Sequence, residues 1–159
     1  MADKHKILTV IQTIGRSFFL PISILPVAGL LLGIGASFSN MSTVQQYGLE
    51  SIMGTGTLLN HVFILMSVVG NAVFANLPLL FALAIAMGMA KAEKAVAVLA
   101  AALTFILTHV TIHQLLVFSG QISPDGVLAS SVINGTIGTT LGIQTLEMGI
   151  FGGILVGLM

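Results

Sequence analysis

The feature that most restricts how this chain folds is a series of long apolar stretches. They cover residues 18–38, 59–90, 95–118 and 143–159, and more polar segments separate them. Only 6% of the 159 residues are charged and 56% are hydrophobic, whereas a soluble domain carries about 25% charged residues. So few charges cannot cover a globular surface with groups that water solvates, and the apolar surface must therefore face lipid. The sequence predicts an all-α, polytopic transmembrane helix bundle.

The number of spans follows from length. A span needs roughly 20 apolar residues, so 159 residues with loops allow about four or five spans. Before the first span, residues 3–19 alternate apolar and polar side chains at helical spacing, which predicts an amphipathic helix at the membrane surface. The alternative is a frayed tail that leads into the first span.

Residues 59–90 form a stretch too long for one span and too short for two. Gly70-Asn71 and Asn76-Leu77-Pro78 interrupt it, and a straight helix would extend about 45 Å, beyond the roughly 30 Å core of a bilayer. We therefore predict a broken helix with one crossing at 77–90, preceded by a shorter helix at 59–74. The shorter helix is expected to be tilted, partly embedded or a kinked extension.

The basic residues indicate the orientation. All five lie either before the first span or in a short turn at 91–94: Lys4, Lys6, Arg16, Lys91 and Lys94. The positive-inside rule places both regions in the cytoplasm. The loops at 39–58 and 119–142 then lie outside, and 59–90 must cross an odd number of times. The second loop contains a turn signal, Ser123-Pro124-Asp125-Gly126.

Composition also excludes several kinds of chemistry. The chain has no cysteine, which excludes disulfides, thiolate catalysis, iron–sulfur clusters and thiolate zinc sites. Its net charge of zero argues against a nucleic-acid partner, which would need a basic face. We expect no cofactor and no metal.

His109 and His113 are four residues apart and would share one face of a helix. That spacing can hold a metal, but zinc needs a third or fourth ligand, and none lies nearby in the sequence. A histidine pair near the end of a span more often makes hydrogen bonds between helices or lines an interface. His61, at the start of an apolar stretch, is expected to be an interfacial polar residue.

Three further polar residues are weak candidates for substrate binding. Glu147 is predicted to lie about one turn into the final apolar stretch, where an acid is costly and often functional, although a boundary or packing role is favoured. Asn71 and Asn76 flank the break before Pro78, where polar groups sometimes face a substrate path. The favoured role for both is to satisfy freed backbone groups.

Glycines at four-residue spacing predict close helix packing. Gly29 and Gly33 lie in the first span. Gly149, Gly153 and Gly157 form a ridge on the last apolar stretch, suited to another helix or another subunit.

Three ordered motifs resemble one known family. They are residues 15–35 (GRSFFLPISILPVAGLLLGIG), residues 74–88 (FANLPLLFALAIAMG) and residues 141–157 (LGIQTLEMGIFGGILVG). They are similar to the membrane permease (enzyme IIC) of bacterial phosphoenolpyruvate-dependent sugar phosphotransferase systems. The closest branch resembles the glucose/maltose/α-glucoside superfamily.

This resemblance implies a homodimeric permease of about ten spans in the bacterial cytoplasmic membrane. Its N-terminal half would be the dimer-contact scaffold, and its C-terminal half would hold two re-entrant hairpins and the sugar site. A IIB domain that carries a phosphocysteine would phosphorylate the sugar on the cytoplasmic side. Upstream phosphocarrier proteins would supply the phosphoryl group to that cysteine.

The chain departs from this pattern in length. It has about a third of the expected residues, so we expect a fragment: a truncated gene, a partial sequence or one piece of a split permease. Residues 1–159 would be the N-terminal part of the IIC domain without the sugar-site half. None of His61, His109, His113 and Glu147 matches the family's sugar-binding motifs, so no catalytic residue is assigned.

The sequence thus predicts part of a permease that imports and phosphorylates a sugar and that is not transport-competent alone. The family resemblance implies that the chain is part of a protein-phosphohistidine–sugar phosphotransferase. The alternative is a non-catalytic membrane interaction or assembly protein that pairs through its glycine ridges. A small independent channel or carrier is a third possibility.

Overall fold

The computed structural model describes residues 2–123, 125–129, 132 and 135–159, with side chains from residue 7 onward. These residues form helices and one small β-hairpin. The helices, in chain order, are α1 (Ala2–Ser39), α2 (Met41–Gln46), α3 (Glu50–Met53), α4 (Leu58–Ala75), α5 (Leu77–Met89), α6 (Lys94–Phe118) and α7 (Gly149–Leu158). The strands are β1 (Ile137–Thr140) and β2 (Ile143–Leu146). The predicted all-α class is confirmed.

Three of the described helices are long and apolar enough to cross a bilayer: Ile7–Ser39 within α1, α4 and α6. The helices α5 and α7 are apolar but shorter. Large apolar side chains are exposed along the long helices, among them Phe19 at 77% and Leu58 at 84%. Apolar surface of this extent is solvated by lipid rather than by water. The chain is a polytopic membrane protein.

The helix α1 runs without a break through both the expected surface helix and the expected first span. Pro21 and Pro26 lie inside it. Each lacks an N–H and removes one helical hydrogen bond, a loss that membrane helices tolerate where neighbouring groups satisfy the freed carbonyl. Its 38 residues extend about 57 Å, far more than the roughly 30 Å that a bilayer core requires.

The chain divides into two compact units, and residues Ile22–Ala75 form one of them. In this unit the backbones of α1 and α4 approach closely at two glycines. A Cβ atom added at Gly70 would lie 2.5 Å from the nitrogen of Leu32, and one added at Gly35 would lie 2.6 Å from the carbonyl oxygen of Phe63. The rings of Phe38 and Phe63 are 5.2 Å apart nearby. Glycine is therefore what allows these two helices to touch.

The predicted loop at 39–58 contains the two short helices α2 and α3. The side chain of Asn40 accepts a hydrogen bond from the nitrogen of Ser42 at 3.1 Å and caps α2. The hydroxyl of Thr57 accepts one from the nitrogen of Asn60 at 3.2 Å. This bond satisfies a free N–H at the start of α4. The amide of Asn60, which is buried, donates to the carbonyl of Met53 at 3.2 Å.

The predicted broken helix around 59–90 is confirmed, with the break at Asn76. Pro78 lies in the first turn of α5, where a missing N–H costs no helical bond. The bounds of both helices lie within one residue of those expected, but the first helix is not the shorter one: α4 has 18 residues and α5 has 13. Gly70-Asn71 does not interrupt α4, since Gly70 serves the contact with α1 instead.

The second unit comprises Met1–Pro21 and Asn76–Met159. Its core lies between α5, α6 and α7, where Ala82, Phe105 and Val156 form a buried cluster. At Gly157 the helix α7 comes so close to α5 that an added Cβ would lie 2.7 Å from the carbonyl oxygen of Ala82. The N-terminal part of α1 joins this unit through an edge-to-face contact of Phe18 with Phe81, at 5.2 Å between ring centroids.

The β-hairpin corrects the prediction that the last apolar helix starts near residue 143. Ile143 begins β2, which pairs antiparallel with β1 in the register Ile137↔Leu146. Leu141 and Gly142 connect the strands and both have positive φ, 53° and 79°, as a two-residue type I′ turn requires. Each strand has only four residues, too few for a repeating pattern to distinguish a strand from a helix. The helix α7 starts only at Gly149.

The predicted turn at 123–126 is confirmed for the residues that the structure describes. The nitrogen of Gly126 donates to the carbonyl of Ser123 at 2.8 Å, and Gly126 has a φ of 79°. Pro124 lies outside the described residues.

Candidate functional site

The candidate site is a polar junction at which two histidines of α6 hold the β-hairpin. Nδ1 of His109 lies 3.2 Å from the hydroxyl of Thr145. Both side chains are buried, with His109 3% and Thr145 0% exposed. The ring of Phe105, one turn earlier, packs edge-on against the His109 ring at 4.5 Å between centroids. The junction combines a hydrogen bond with an aromatic contact in the interior of the unit.

His113 makes the second contact, one turn further along α6. Its Nδ1 lies 2.8 Å from the backbone carbonyl of Gln144. A carbonyl oxygen only accepts hydrogen bonds, so Nδ1 of His113 carries the proton and donates it. In the neutral ring Nε2 is then left as an acceptor.

Gln144 extends the junction to the preceding loop. Its side-chain amide donates to the carbonyl of Gly126 at 3.1 Å, while its own carbonyl accepts from His113. A cavity of about 570 Å³ lies beside this residue, and its lining includes His113, Asp125 and Gly142. One glutamine thus links α6, the hairpin and the 123–126 turn.

The two histidines were singled out from the sequence, but their partners were not. Thr145 and Gln144 lie 36 and 31 residues away along the chain. Neither partner has a sequence motif, and β2, with the sequence Ile-Gln-Thr-Leu, lacks the strict apolar/polar alternation that would indicate a strand. The sequence favours hydrogen bonds between helices or the lining of an interface for this pair, whereas the two bonds run from α6 to the β-hairpin.

Glu147 does not lie in a helix, which corrects its predicted position. It follows β2, its side chain is exposed, and its backbone nitrogen donates to the carbonyl of Thr136 at 2.9 Å. The carboxylate lies over Gly138, where an added Cβ would collide with it. The hairpin extends the backbone to Leu146, so that Glu147 precedes α7 rather than entering it. Its role as a substrate ligand stays a prediction.

The other predicted polar residues lie on α4 and at the break before α5. Asn71 is exposed on α4, and His61 is exposed near the start of the same helix, where its nitrogen donates to Thr57 at 3.2 Å. Asn76 is half-buried at the break and precedes α5 without capping it through its side chain.

The predicted packing glycines have different surroundings. A Cβ added at Gly153 would collide with the carbonyl oxygen of Pro78, and Gly157 lies against Ala82. Added Cβ atoms at Gly29, Gly33 and Gly149 would meet no described atom within 4 Å. Sequence analysis missed Gly35 and Gly70 as packing residues, although the backbones of α1 and α4 approach closely at both.

The side chains of the junction hold the β-hairpin in position against α6. No group of three or more His, Cys, Asp or Glu side chains among the described residues is arranged to hold a metal ion. Each histidine nitrogen that faces the hairpin has a hydrogen-bond partner. Such an arrangement fixes the hairpin on α6, and because Thr145 is fully buried its hydroxyl is not accessible to a substrate.

Comparison with known proteins agrees with the three sequence motifs. The family model described as "Phosphotransferase system, EIIC" matches residues 15–159, which include every motif and both histidines. The chain belongs to the phosphotransferase system EIIC family. Within this EIIC chain, the matched region also covers the hairpin and its contacts with α6.

A curated relative is similar over most of this EIIC chain. It is the PTS system glucose-specific EIICBA component of Staphylococcus saprophyticus, 37% identical over 147 residues. The similarity covers 92% of this chain but 20% of the relative. The chain therefore spans about a fifth of the length of that relative.

Proposed function

We propose that this chain forms the scaffold part of a sugar-specific permease of the phosphotransferase system. The observation that carries the proposal is the EIIC family match over residues 15–159. The name of the relative, a glucose-specific EIICBA component, supports a sugar of the glucose, maltose or α-glucoside type. The sugar would cross the bacterial cytoplasmic membrane and be phosphorylated there.

We assign the chain to the scaffold of the permease, and not to its sugar site, because of what its polar side chains contact. His109 and His113 are engaged with the hairpin, and Glu147 is exposed beside Gly138. A sugar site needs several convergent polar groups in one cavity. We propose that the sugar ligands, including a histidine and a glutamate, lie in the part of the permease that this chain does not match.

The partners follow from the same proposal. A IIB domain would present a phosphocysteine on the cytoplasmic side, and upstream phosphocarrier proteins would recharge it. The sulfur–phosphorus bond would break as a sugar hydroxyl accepts the phosphoryl group. A second copy of the permease is the proposed dimer partner, and the open surroundings of Gly29 and Gly33 support α1 as a contact face.

For the topology we propose about four crossings with the N-terminus in the cytoplasm. Arg16 of α1 and Lys94 of α6 line one cavity. This supports placing the N-terminal segment and the 91–94 turn on the same side of the membrane. The helices α4 and α5 would then form one broken crossing, and the hairpin would lie outside.

A chimera tests the function. Residues 15–159 would replace the matching stretch of the S. saprophyticus relative, and glucose uptake and phosphorylation would be measured in cells without another glucose phosphotransferase system. We expect uptake above that of empty cells. A control chimera with Gly153→Leu, which collides with the backbone at Pro78, should lose it. A chimera that reaches the membrane in normal amounts and transports nothing would contradict the proposal.

The rival function, a membrane assembly protein that pairs through glycine ridges, makes a different prediction. The chain has no cysteine, so Gly33→Cys introduces a single crosslinking site in an open position of α1. Crosslinks to a second copy, or to the remainder of a permease, favour the scaffold. Crosslinks to an unrelated membrane protein alone favour the rival.

A further inference from the structure

A cavity of about 320 Å³ lies between the N-terminal half of α1, the end of α5 and the start of α6. All of its lining belongs to the unit formed by Met1–Pro21 and Asn76–Met159. At one edge Ser17 lies directly against Gly88, where an added Cβ would collide with the serine hydroxyl. The cavity is therefore part of the packing of this unit, and its volume falls within the range of small-ligand sites.

Two cationic side chains line this cavity. They are Arg16 of α1 and Lys94, the first residue of α6. Within the described part of the chain, neither side chain forms a hydrogen bond or an ion pair with a carboxylate. Glu93 is the neighbour of Lys94 in the sequence but does not line the cavity. Two positive charges without a carboxylate partner among the described side chains thus line the same cavity.

The hydroxyls of the cavity already have partners. Ser17 donates to the carbonyl of Thr13 at 2.9 Å, and Thr13 donates to the carbonyl of Thr9 at 2.8 Å. The donors left for a ligand are therefore the guanidinium of Arg16 and the ammonium of Lys94. A guanidinium and an ammonium group can together donate hydrogen bonds to the oxygens of one phosphate group.

The rest of the lining is apolar. Leu20, Ala84 and Met87 border the same cavity, and Leu20 and Met87 are 57% and 40% exposed. Lys94 begins α6 and Arg16 comes shortly before the apolar stretch 18–38, so we expect both charges at the depth where lipid headgroups meet acyl chains. A ligand that fills this cavity would need an anionic head and an apolar tail. A free anion would leave the apolar wall unoccupied.

We propose that this cavity binds the phosphate group of an anionic phospholipid. The headgroup phosphate lies between Arg16 and Lys94, and the first part of an acyl chain follows Leu20 and Met87. The bound lipid connects α1 to α5 and α6. This site is separate from the sugar chemistry, so its test does not depend on transport.

Native mass spectrometry of the 159-residue chain, purified in a detergent without phosphate, tests the site. The probes are phosphatidylglycerol, phosphatidylcholine and inorganic phosphate. We expect phosphatidylglycerol to be retained and phosphatidylcholine to dissociate. The double variant Arg16→Gln/Lys94→Gln should lower the affinity for phosphatidylglycerol by about ten- to thirty-fold, the combined effect of removing two charges near a lipid surface.

The matched control is Lys91→Gln. It removes the same charge from the same turn, and Lys91 does not line the cavity. We expect it to retain phosphatidylglycerol almost unchanged. Arg16, Lys91 and Lys94 are all exposed, so none of these variants opens the core, and circular dichroism should show the same helix content for all of them.

Two outcomes would overturn the proposal. Equal losses in Lys91→Gln and in the double variant would reduce the effect to net charge. Inorganic phosphate that binds as tightly as phosphatidylglycerol and displaces it would assign the cavity to a free anion.

Discussion

Nδ1 of His109 on α6 lies 3.2 Å from the hydroxyl of Thr145 on β2, and both side chains are buried. This bond joins a membrane helix to a hairpin 36 residues further along the chain. A buried polar group that loses its partner costs more than the bond itself contributes. We therefore expect the pair to contribute to holding the hairpin on the helix.

Thr145→Val removes the hydroxyl while keeping the shape of the side chain. It leaves a nitrogen of the buried imidazole without a partner, and we expect a loss of about 1–3 kcal/mol. The loss should appear as faster hydrogen exchange over residues 137–146, measured by mass spectrometry in detergent. Valine favours a strand more than most residues do, so faster exchange cannot come from a poorer strand residue.

Thr139→Val is the control for this experiment, because Thr139 lies on β1 with an exposed side chain. Exchange over the hairpin should stay unchanged in this variant. Thr145→Ser, which restores a hydroxyl, should recover most of the protection. Equal exchange in Thr145→Val and the parent chain would show that the bond does not hold the hairpin.

Gly35→Ala and Gly33→Ala form a matched pair two residues apart on α1. An alanine Cβ at residue 35 would lie against the backbone of Phe63 and Ser67, whereas one at residue 33 meets no described atom within 4 Å. We expect Gly35→Ala to cost about 1–3 kcal/mol through overpacking. Gly33→Ala should be neutral or stabilising by up to about 1 kcal/mol, since alanine is the better helix former.

Thermal unfolding of both variants, followed by far-UV circular dichroism in the same detergent, measures the difference. A lower midpoint for Gly33→Ala than for Gly35→Ala would contradict the contact between α1 and α4.

Gln144→Leu tests the link between the hairpin and the preceding turn. It removes the amide that donates to the carbonyl of Gly126 and keeps the backbone carbonyl that accepts from His113. The expected cost is about 0.5–1.5 kcal/mol, the net contribution of one hydrogen bond. Hydrogen exchange should increase around residue 126 and stay unchanged at the His113 end of α6. An increase at both places would mean that the two bonds are not independent.

Much of the fold could be predicted because it depends on local sequence. Low charge and long apolar stretches gave the membrane class, and Pro78 located the break between α4 and α5. The hairpin could not be predicted with the same tools. Its strands are four residues long, and its turn is Leu141-Gly142, without the Asn-Gly or Asp-Gly pair that usually indicates such a turn.

Contacts between distant residues account for the remaining differences. The four-residue spacing of Gly29 and Gly33 suggested a packing face, but the contact with α4 uses Gly35 and Gly70, which are 35 residues apart in sequence. Spacing shows which residues share a helix face. It does not show which of two adjacent faces meets a neighbour, and that choice is made by the packing of the whole unit.

Single cysteines test the proposed topology, and the absence of native cysteine makes each result unambiguous. Gln46, Lys91 and Asp125 are exposed in three different loops or loop helices. With the N-terminus inside, Gln46→Cys and Asp125→Cys should react with a membrane-impermeant maleimide in intact cells. Lys91→Cys should react only after the membrane is opened, because the positive-inside rule holds the 91–94 turn in the cytoplasm. Labelling of Lys91→Cys in intact cells, together with protection of Gln46→Cys, would invert the orientation. Labelling of Gln46→Cys and Lys91→Cys together would mean that α4 and α5 cross an even number of times, as two separate insertions.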